Sequence, residues 1–108
     1  MNTIELSKNF IVSSQIETYN LEELKNRGVK TIICNRPDNE EYNQTPFSAI
    51  KLEAEKLDIK AFHIPISPGC DPLEIRKEYD AIKSEIQEPI LAYCKSGSRA
   101  SSLYDLIQ

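Results

Sequence analysis

Short apolar runs alternate along the chain with longer segments in which apolar residues recur at helical spacing. Four runs are rich in β-branched and apolar residues and are bounded by turn or helix signals: Phe10–Ser13, Val29–Cys34, Ala61–Ile66 and Ile90–Tyr93. Such runs are typical of strands. Because Val29–Cys34 is continuously apolar in its second half, it is predicted to be a strand covered on both faces.

Residues that commonly begin or end helices separate these runs. Asn20, Thr45 and Asp71 are predicted N-caps, because each is followed by an acidic residue or a proline at a position that favours a helix start. Gly28 is predicted to end the first of these helices. A fourth helix is predicted after Tyr93 and the short polar segment that follows it.

Each predicted helix has one apolar face that can pack against a sheet. The residues of these faces are Leu21 and Leu24, then Phe47, Ile50, Ala54 and Leu57, then Leu73, Ile75, Tyr79, Ile82 and Ile86, and finally Leu103, Leu106 and Ile107. Strands joined by helices favour the α/β class, with a mainly parallel sheet of four or five strands flanked by helices. Because the chain has 108 residues and no linker or repeat, a single domain is predicted over residues 1–108.

The charge balance narrows the range of partners. The chain carries 17 acidic and 13 basic side chains, a formal net charge of -4, whereas the phosphate backbone of a nucleic acid is held mainly by Lys and Arg. Nucleic acid is therefore not an expected partner. The opening segment MNTIELSKNF contains no long apolar run, so it predicts neither a secretory signal nor a membrane span, and a cytoplasmic location is expected.

The three cysteines, Cys34, Cys70 and Cys94, are too few and too scattered to predict a disulfide framework. No C-x-x-C pair is present and His63 is the only histidine, so neither a zinc site nor another cofactor is expected. Cys34 lies in an apolar strand and is predicted to be a small core residue. His63 alternates with apolar neighbours and is predicted to be hydrogen-bonded rather than catalytic.

The segment CKSGSR, Cys94–Arg99, follows a predicted strand and precedes a predicted helix. A loop of this kind presents a concave array of backbone N–H groups at the positive end of the helix dipole, and such an array binds anions. Arg99 adds a planar fork suited to oxyanions. The same field favours the thiolate of Cys94, which is the nucleophilic form of a cysteine. The loop therefore predicts an activated catalytic cysteine.

The residues between the cysteine and the arginine are predicted to bind a substrate or another anion. They are Lys95, Ser96, Gly97 and Ser98. Glycine suits a tight loop that needs a positive φ, and the two serine hydroxyls can donate hydrogen bonds to sulfur or to bound oxygens. The plainer alternative is a buried cysteine at a strand end, followed by an ordinary capped helix.

CKSGSR with its flanking residues resembles the active loop of the rhodanese and protein-tyrosine-phosphatase group of enzymes. Over nearly its whole length the chain more closely resembles a small bacterial family, the phosphatase-like domain associated with beta-lactamase hydrolase-like proteins, whose members are also described as sulfur transferases. The segments that carry this resemblance are Ser13–Gln15, Lys30–Glu40, His63–Ile66 and Leu91–Leu103. The resemblance implies a dual-specificity-phosphatase-like α/β fold, but it does not specify one reaction, because the family's chemistry is not uniform.

Loop length distinguishes the reactions that the resemblance implies. The loop from Cys94 to Arg99 has six residues, as in rhodanese-like sulfurtransferases, whose loop holds a persulfide; in the related phosphatases it is one residue longer and cradles a phosphoryl group. We therefore expect a sulfurtransferase with a persulfide on Cys94. The alternatives are a cysteine-dependent phosphatase and a non-enzymatic anion-binding sensor or interaction module. The expected partners are a small sulfur-containing or phosphorylated substrate and a thiol acceptor or sulfur-oxidising enzyme.

Further candidates lie on loops that should open at the same edge of the sheet. Asp71 lies where related phosphatases carry their general acid, although it is equally well placed as a helix N-cap. Cys70 is a candidate to resolve a persulfide or sulfenic acid on Cys94 as a disulfide, although a loop cysteine without that role is the simpler interpretation. Arg36 and Asp38 are candidates for a rim or substrate contact, with a solvated loop as the equal alternative.

Overall fold

One sheet organises the chain, which is described over residues 1–108 by a computed structural model. Its strands are β1 (Thr3–Ser7), β2 (Phe10–Ser13), β3 (Thr31–Cys34), β4 (Lys60–His63) and β5 (Ile90–Tyr93). They lie in the order β1-β2-β5-β3-β4. Four of the five strands are parallel to one another, and only β1 runs antiparallel to its neighbour. The predicted class, a single α/β domain with a mainly parallel sheet, is confirmed.

Four α-helices connect and follow the strands. They are α1 (Leu21–Asn26), α2 (Phe47–Lys56), α3 (Pro72–Ile82) and α4 (Ser98–Leu106), with short 3-10 turns at Thr18–Asn20 and Lys83–Glu85. None of these helices has both the length and the apolar character that crossing a bilayer requires. Gly28 follows α1 with a φ of +89°, as the sequence predicts for a residue that ends a helix.

The strand β5 lies at the centre of the sheet and is buried on both faces. All four of its residues are buried, and it pairs in parallel with β2 on one side and β3 on the other. Alternate side chains face opposite layers of helices, which is the arrangement of a sheet covered on both faces. One apolar layer includes Leu91 and Tyr93 together with residues of α1 and α2. The other includes Ile90 and Ala92 together with residues of α3 and α4.

The strand β1 is an element that the apolar pattern does not predict. Its residues are exposed or only partly buried, so they lack the alternation that marks a half-buried strand. The strand forms because its backbone pairs with β2, with Thr3 opposite Ser13 and Ile4 opposite Val12. The strand β1 therefore depends on pairing in the tertiary structure, which the local sequence pattern does not reveal.

Of the three predicted N-caps, Thr45 is wrong, while Asn20 occupies the N-cap position of α1 without a side-chain capping bond. The N–H of Phe47 at the start of α2 donates to Asp38 Oδ1 at 2.9 Å, while the hydroxyl of Thr45 donates to the carboxylate of Glu17. Asn20 makes no capping bond to α1, because its Oδ1 accepts from the N–H of Glu17 at 2.8 Å. The N–H of Phe47 is thus bound by a residue nine positions earlier, and the side chain of Asn20 by a residue three positions earlier.

The segment around α3 shows one confirmed prediction and two wrong ones. Asp71 caps α3, since its Oδ1 accepts from the N–H of Leu73 at 2.9 Å. Leu73, predicted to be buried, is 69% exposed, its neighbours in the first turn of α3 are also exposed, and the buried face of this helix begins at Ile75. The strand predicted over Ala61–Ile66 ends at His63, and the following residues bond instead to the loop after β3.

Candidate active site

The loop between β5 and α4 encloses the thiol of Cys94, whose residue is fully buried. The N–H of Gly97 donates to Cys94 Sγ at 3.1 Å, and the N–H of Cys94 donates to the carbonyl of Ser13 at 3.3 Å. Gly97 has a φ of +99° and lies close to the backbone of Ser13. Only glycine adopts that conformation without cost, so this residue sets the tight turn that brings an N–H onto the sulfur.

The first turn of α4 begins directly after this turn, at Ser98. The backbone N–H groups of Lys95 and Ser96 donate to no group of the protein, so they remain available to an anion beside the positive end of the helix dipole. The hydroxyl of Ser96 donates to that of Ser98 at 3.1 Å. The predicted donation of these serines to sulfur is therefore absent here, because the two hydroxyls bond to each other.

Arg99 lies beside the thiol, but its guanidinium already holds a carboxylate. Its Nη1 and Nη2 atoms donate to the two carboxylate oxygens of Glu40 at 2.7 and 2.9 Å. Nη1 also donates to the carbonyl of Ile66 at 3.1 Å. The pKa of Arg99 is raised, first by its hydrogen bond to Glu40 and to a smaller extent by the neighbouring Cys94. Arg99 is thus a fixed cation in a bidentate pair.

Glu40 is held between two arginines. Its Oε1 also accepts from Arg36 Nε at 2.9 Å. The hydrogen bond from Arg99 is the main cause that lowers the pKa of Glu40 to about 2, with a further contribution from Arg36. Arg36 is only 4% exposed and also donates to Gln15 Oε1 at 2.9 Å and to Glu41 Oε1 at 3.2 Å. Through its bond to Gln15, Arg36 connects the loop after β3 to the loop after β2.

An open cleft of about 480 Å³ lies over Arg99. It is lined by Glu40, Glu41, Ile66, Ser67, Pro68, Lys95 and Arg99. The ammonium of Lys95 lies 2.5 Å from Glu41 Oε1, and this hydrogen bond is the main cause that lowers the pKa of Glu41. Both carboxylates of the cleft are therefore ionised near neutral pH, and each cation that borders the cleft is paired with one of them.

The two carboxylates of this cleft were not predicted from the sequence. They lie in a polar loop, Asn35–Thr45, where no spacing distinguishes a residue that turns inward from one that is solvated. Arg36 and Asp38 were candidates for a rim or substrate contact or for a solvated loop, and each has a structural partner instead. Arg36 is buried in the ion-pair network, and Asp38 caps α2.

Asp71 and Cys70 lie on the loop before α3. Neither side chain hydrogen-bonds any residue of the Cys94–Arg99 loop, and neither lines the cleft over Arg99. Asp71 is exposed and serves as the N-cap of α3, while the exposed Cys70 accepts from the N–H of Ser67 at 3.0 Å. Cys70 lines an adjoining apolar cleft that shares Ile66 and Ser67 with the first. The catalytic and resolving roles of these two residues stay predictions.

Cys34 is buried and His63 is hydrogen-bonded, as the sequence predicts, and both side chains contact the carbonyl of Arg36. The thiol of Cys34 donates to the carbonyl of Arg36 at 3.3 Å, and burial raises its pKa to about 11. A ring nitrogen of His63 lies 2.8 Å from the same carbonyl, and its ring stacks on Phe47 at a centroid distance of 4.8 Å. No group of three or more His, Cys, Asp or Glu side chains is placed to hold a metal ion.

Comparison with protein families gives one match over almost the whole chain. The model of the beta-lactamase hydrolase-like protein, phosphatase-like domain, matches residues 3–108. A beta-lactamase hydrolase-like protein of Agrobacterium fabrum is 30% identical over 107 residues, which are 98% of this chain and 25% of that protein. The chain therefore spans about a quarter of the length of the curated relatives it matches.

Comparison with solved structures points to phosphatases of the same fold. A protein of Neisseria meningitidis, provisionally described as a phosphatase, is 33% identical, with a TM-score of 0.80 over 93% of this chain and 71% of that chain. The core catalytic domain of a PP-IP phosphatase of S. cerevisiae, solved with citrate, is 24% identical, with a TM-score of 0.70 over 95% of this chain and 62% of that one. At that identity the likeness is one of fold.

Proposed function

The chain belongs to the beta-lactamase hydrolase-like protein, phosphatase-like domain family, and from that premise we propose that it is a cysteine-dependent group-transfer enzyme whose nucleophile is Cys94. Within this class we propose sulfur transfer through a persulfide on Cys94. Gly97 would stabilise the thiolate through its N–H, and the free N–H groups of Lys95 and Ser96 would stabilise the charged persulfide. Arg99 would lie beside the thiolate as a cation already paired with Glu40.

In the proposed reaction the Cys94 thiolate attacks the outer sulfur of a sulfane-sulfur donor. A sulfur–sulfur bond forms at Cys94, and the sulfur–sulfur bond of the donor breaks. The electron pair leaves with the donor fragment, as sulfite from thiosulfate or as a thiolate from a persulfide. A thiol acceptor, as a small molecule or on a partner sulfur-oxidising enzyme, then attacks the outer sulfur and releases the Cys94 thiolate. No net oxidant or reductant is required.

The observation that carries this proposal is the absence of a usable acid in the cleft. A phosphatase needs a protonated group to donate to its leaving oxygen, but the two carboxylates of the cleft, Glu40 and Glu41, both have lowered pKa values. Sulfite and thiolates leave without a proton at the moment of bond breaking. The charge state of the cleft therefore suits sulfur transfer better than ester hydrolysis.

The second candidate is a cysteine-dependent phosphatase, and the solved relatives favour it. The Neisseria protein described as a phosphatase is 33% identical to this chain. In that reaction Cys94 would form a phosphocysteine, and Asp71 would have to leave its capping position at α3 and protonate the leaving group. The six-residue loop and the capped state of Asp71 are the observations against it.

The mass of the intact protein after incubation with thiosulfate, or with a small persulfide donor, tests the proposal. We expect an adduct of one sulfur atom on Cys94, lost on adding a thiol acceptor and absent from Cys94→Ser. The matched control is Cys70→Ser, which should still take up the sulfur. If Cys94 stays unmodified and the protein hydrolyses a phosphate ester, the sulfur-transfer proposal is wrong and the phosphatase proposal takes its place.

A further inference from the structure

Glu40 occupies the face of Arg99 that an oxyanion would otherwise use. The two parallel bonds, at 2.7 and 2.9 Å, have the fork geometry with which a guanidinium binds carboxylate, sulfate or phosphate. A third N–H of Arg99 donates to the carbonyl of Ile66. A guanidinium has five N–H donors, so only the Nε–H and one Nη2 hydrogen remain for a substrate.

The position of Glu40 is fixed by the structure behind it. Arg36 Nε donates to the same carboxylate at 2.9 Å, and Arg36 is itself buried and held by Gln15. Glu40 and Arg99 have side chains that are only 27% and 23% exposed. A bidentate, partly buried pair within a network is more persistent than an isolated surface ion pair. Glu40 is therefore a built component of the cleft.

The second cation of the cleft, Lys95, is also paired with a carboxylate. Lys95 pairs with Glu41, and Glu41 also accepts from Arg36. Two carboxylates thus occupy the two cations that border the cleft, so a dianion entering it must compete with carboxylates that are already bound there.

We propose that Glu40 determines the charge class of the substrate at Cys94. By holding Arg99, it competes with doubly charged oxyanions and leaves the cleft selective for sulfur donors of low charge, such as persulfides, over thiosulfate and phosphate monoesters. The proposal rests on the proposed function in that it concerns a substrate of the same thiol. Glu40 acts here as a specificity-determining residue and takes no part in bond breaking.

Protection of Cys94 by inorganic sulfate tests this role without any sulfur donor. The rate at which iodoacetamide alkylates Cys94 in the full chain is measured against sulfate concentration. In Glu40→Gln the fork of Arg99 faces a neutral amide, so we expect sulfate to protect at about tenfold lower concentration than in the wild type. Glu41→Gln makes the same charge change in the same cleft without touching Arg99, and we expect a shift below about threefold.

Equal shifts in the two variants, or no shift in Glu40→Gln, would overturn the proposal. Thermal unfolding shows whether Glu40→Gln is folded. If it is not, Glu40→Asp keeps the net charge but withdraws the carboxylate by one methylene, and it should also strengthen protection by sulfate. If sulfate protects Cys94 in a folded Glu40→Asp protein only at the concentration that the wild type requires, the proposal is wrong.

A companion assay separates this inference from the proposed function. In Glu40→Gln the ratio of the sulfur-transfer rate with thiosulfate to that with a singly charged alkyl persulfide should rise by about tenfold. If Cys94 takes sulfur from no donor but sulfate protects as expected, the sulfur-transfer proposal is wrong and the role of Glu40 holds. If sulfur transfer is observed and neither the protection constant nor the donor ratio moves, the role of Glu40 is wrong and the reaction holds.

Discussion

Two fully enclosed cysteines, Cys34 and Cys94, differ in the hydrogen bond that each sulfur makes. The sulfur of Cys94 accepts from the N–H of Gly97, which favours the thiolate, whereas the thiol of Cys34 donates to the carbonyl of Arg36, which requires the proton. Their side chains also lie in different apolar layers of the sheet. Because both residues are buried, we expect the polarity of the nearest backbone group, and not burial, to decide which cysteine is reactive.

At this scale we predict that Cys34 resists alkylation in the folded protein while Cys94 is modified. Burial raises the pKa of Cys34 from 9.0 to about 11, so its thiolate is scarce near neutral pH. Peptide mass mapping after timed exposure to iodoacetamide measures the three rates separately, with denaturant-unfolded protein as the control in which they converge. Equal rates for the two buried cysteines in the folded chain would contradict the argument from hydrogen bonding.

At the scale of the element, the turn that begins α4 has two structural roles. It forms the N-terminal end of the helix and it places an N–H on the sulfur, and both depend on the φ of +99° at Gly97. Gly28 has a similar φ of +89°, with open space around it, at the end of α1. The two glycines share the same backbone requirement, but only one of them touches the site.

This pair gives a matched test. Gly97→Ala and Gly28→Ala should each lower the free energy of unfolding by about 1–2 kcal/mol, because a side chain is strained at positive φ. Only Gly97→Ala should also slow sulfur transfer to Cys94, since its backbone relaxes away from the sulfur. Urea titrations and single-turnover transfer rates supply the two readouts. A comparable loss of transfer in Gly28→Ala would mean that stability, and not the turn, controls the reaction.

The N-cap of α3 separates the two candidate reactions. Asn is as good an N-cap as Asp, so Asp71→Asn should leave the thermal midpoint unchanged, whereas Asp71→Ala should cost about 1 kcal/mol. For sulfur transfer we expect a change of less than about threefold in Asp71→Asn. For a phosphatase that uses Asp71 as its acid, turnover of an ester with a poor leaving group should fall by about two orders of magnitude or more.

The thermal midpoint of both variants is measured first, so that a loss of activity is not confused with a loss of stability. A large loss of sulfur transfer in a normally stable Asp71→Asn protein would show that the reaction or the role of Asp71 is misassigned.

At the scale of the whole molecule, the carboxyl edge of the sheet gathers loops from four strands around one network of charge. Gln15 follows β2, Arg36 and Glu40 follow β3, Ile66 follows β4, and Arg99 follows β5. Parallel strands end at the same edge, so residues far apart in the chain meet there. The network therefore couples the integrity of the fold to the ionisation of the site.

This coupling predicts a specific acid sensitivity. The pKa of Glu40 is lowered in the folded state from 4.5 to about 2, so its ionised form stabilises the fold at higher pH, and that contribution is lost as pH falls from about 4.5 towards about 2. Urea unfolding across this window should show a steeper loss of stability in the wild type than in Glu40→Gln. Parallel pH profiles for the two proteins would contradict the observed pairing with Arg99 and Arg36.

Much of the fold follows from local pattern, and the site follows only in part. The strands β2, β3 and β5 and the helix after Cys94 were predicted because apolar runs and turn signals are local properties. The strand β1 was not, because its exposed side chains carry no burial pattern and only pairing with β2 makes it a strand. Thr45 was wrongly predicted as a cap because the first N–H of α2, that of Phe47, donates instead to Asp38, which lies nine residues earlier in the loop.

By itself the sequence determined the β5–loop–α4 unit, the presence of a cysteine and an arginine at its two ends, and the glycine that the turn requires. These features depend on residues that are neighbours in the chain, so spacing reveals them. Only the tertiary structure decided that Arg99 is paired with Glu40 and that Arg36 is buried beneath both. A polar loop residue gives no local signal of the partner it will reach, because that partner comes from a distant strand end and is selected by the packing of the whole sheet.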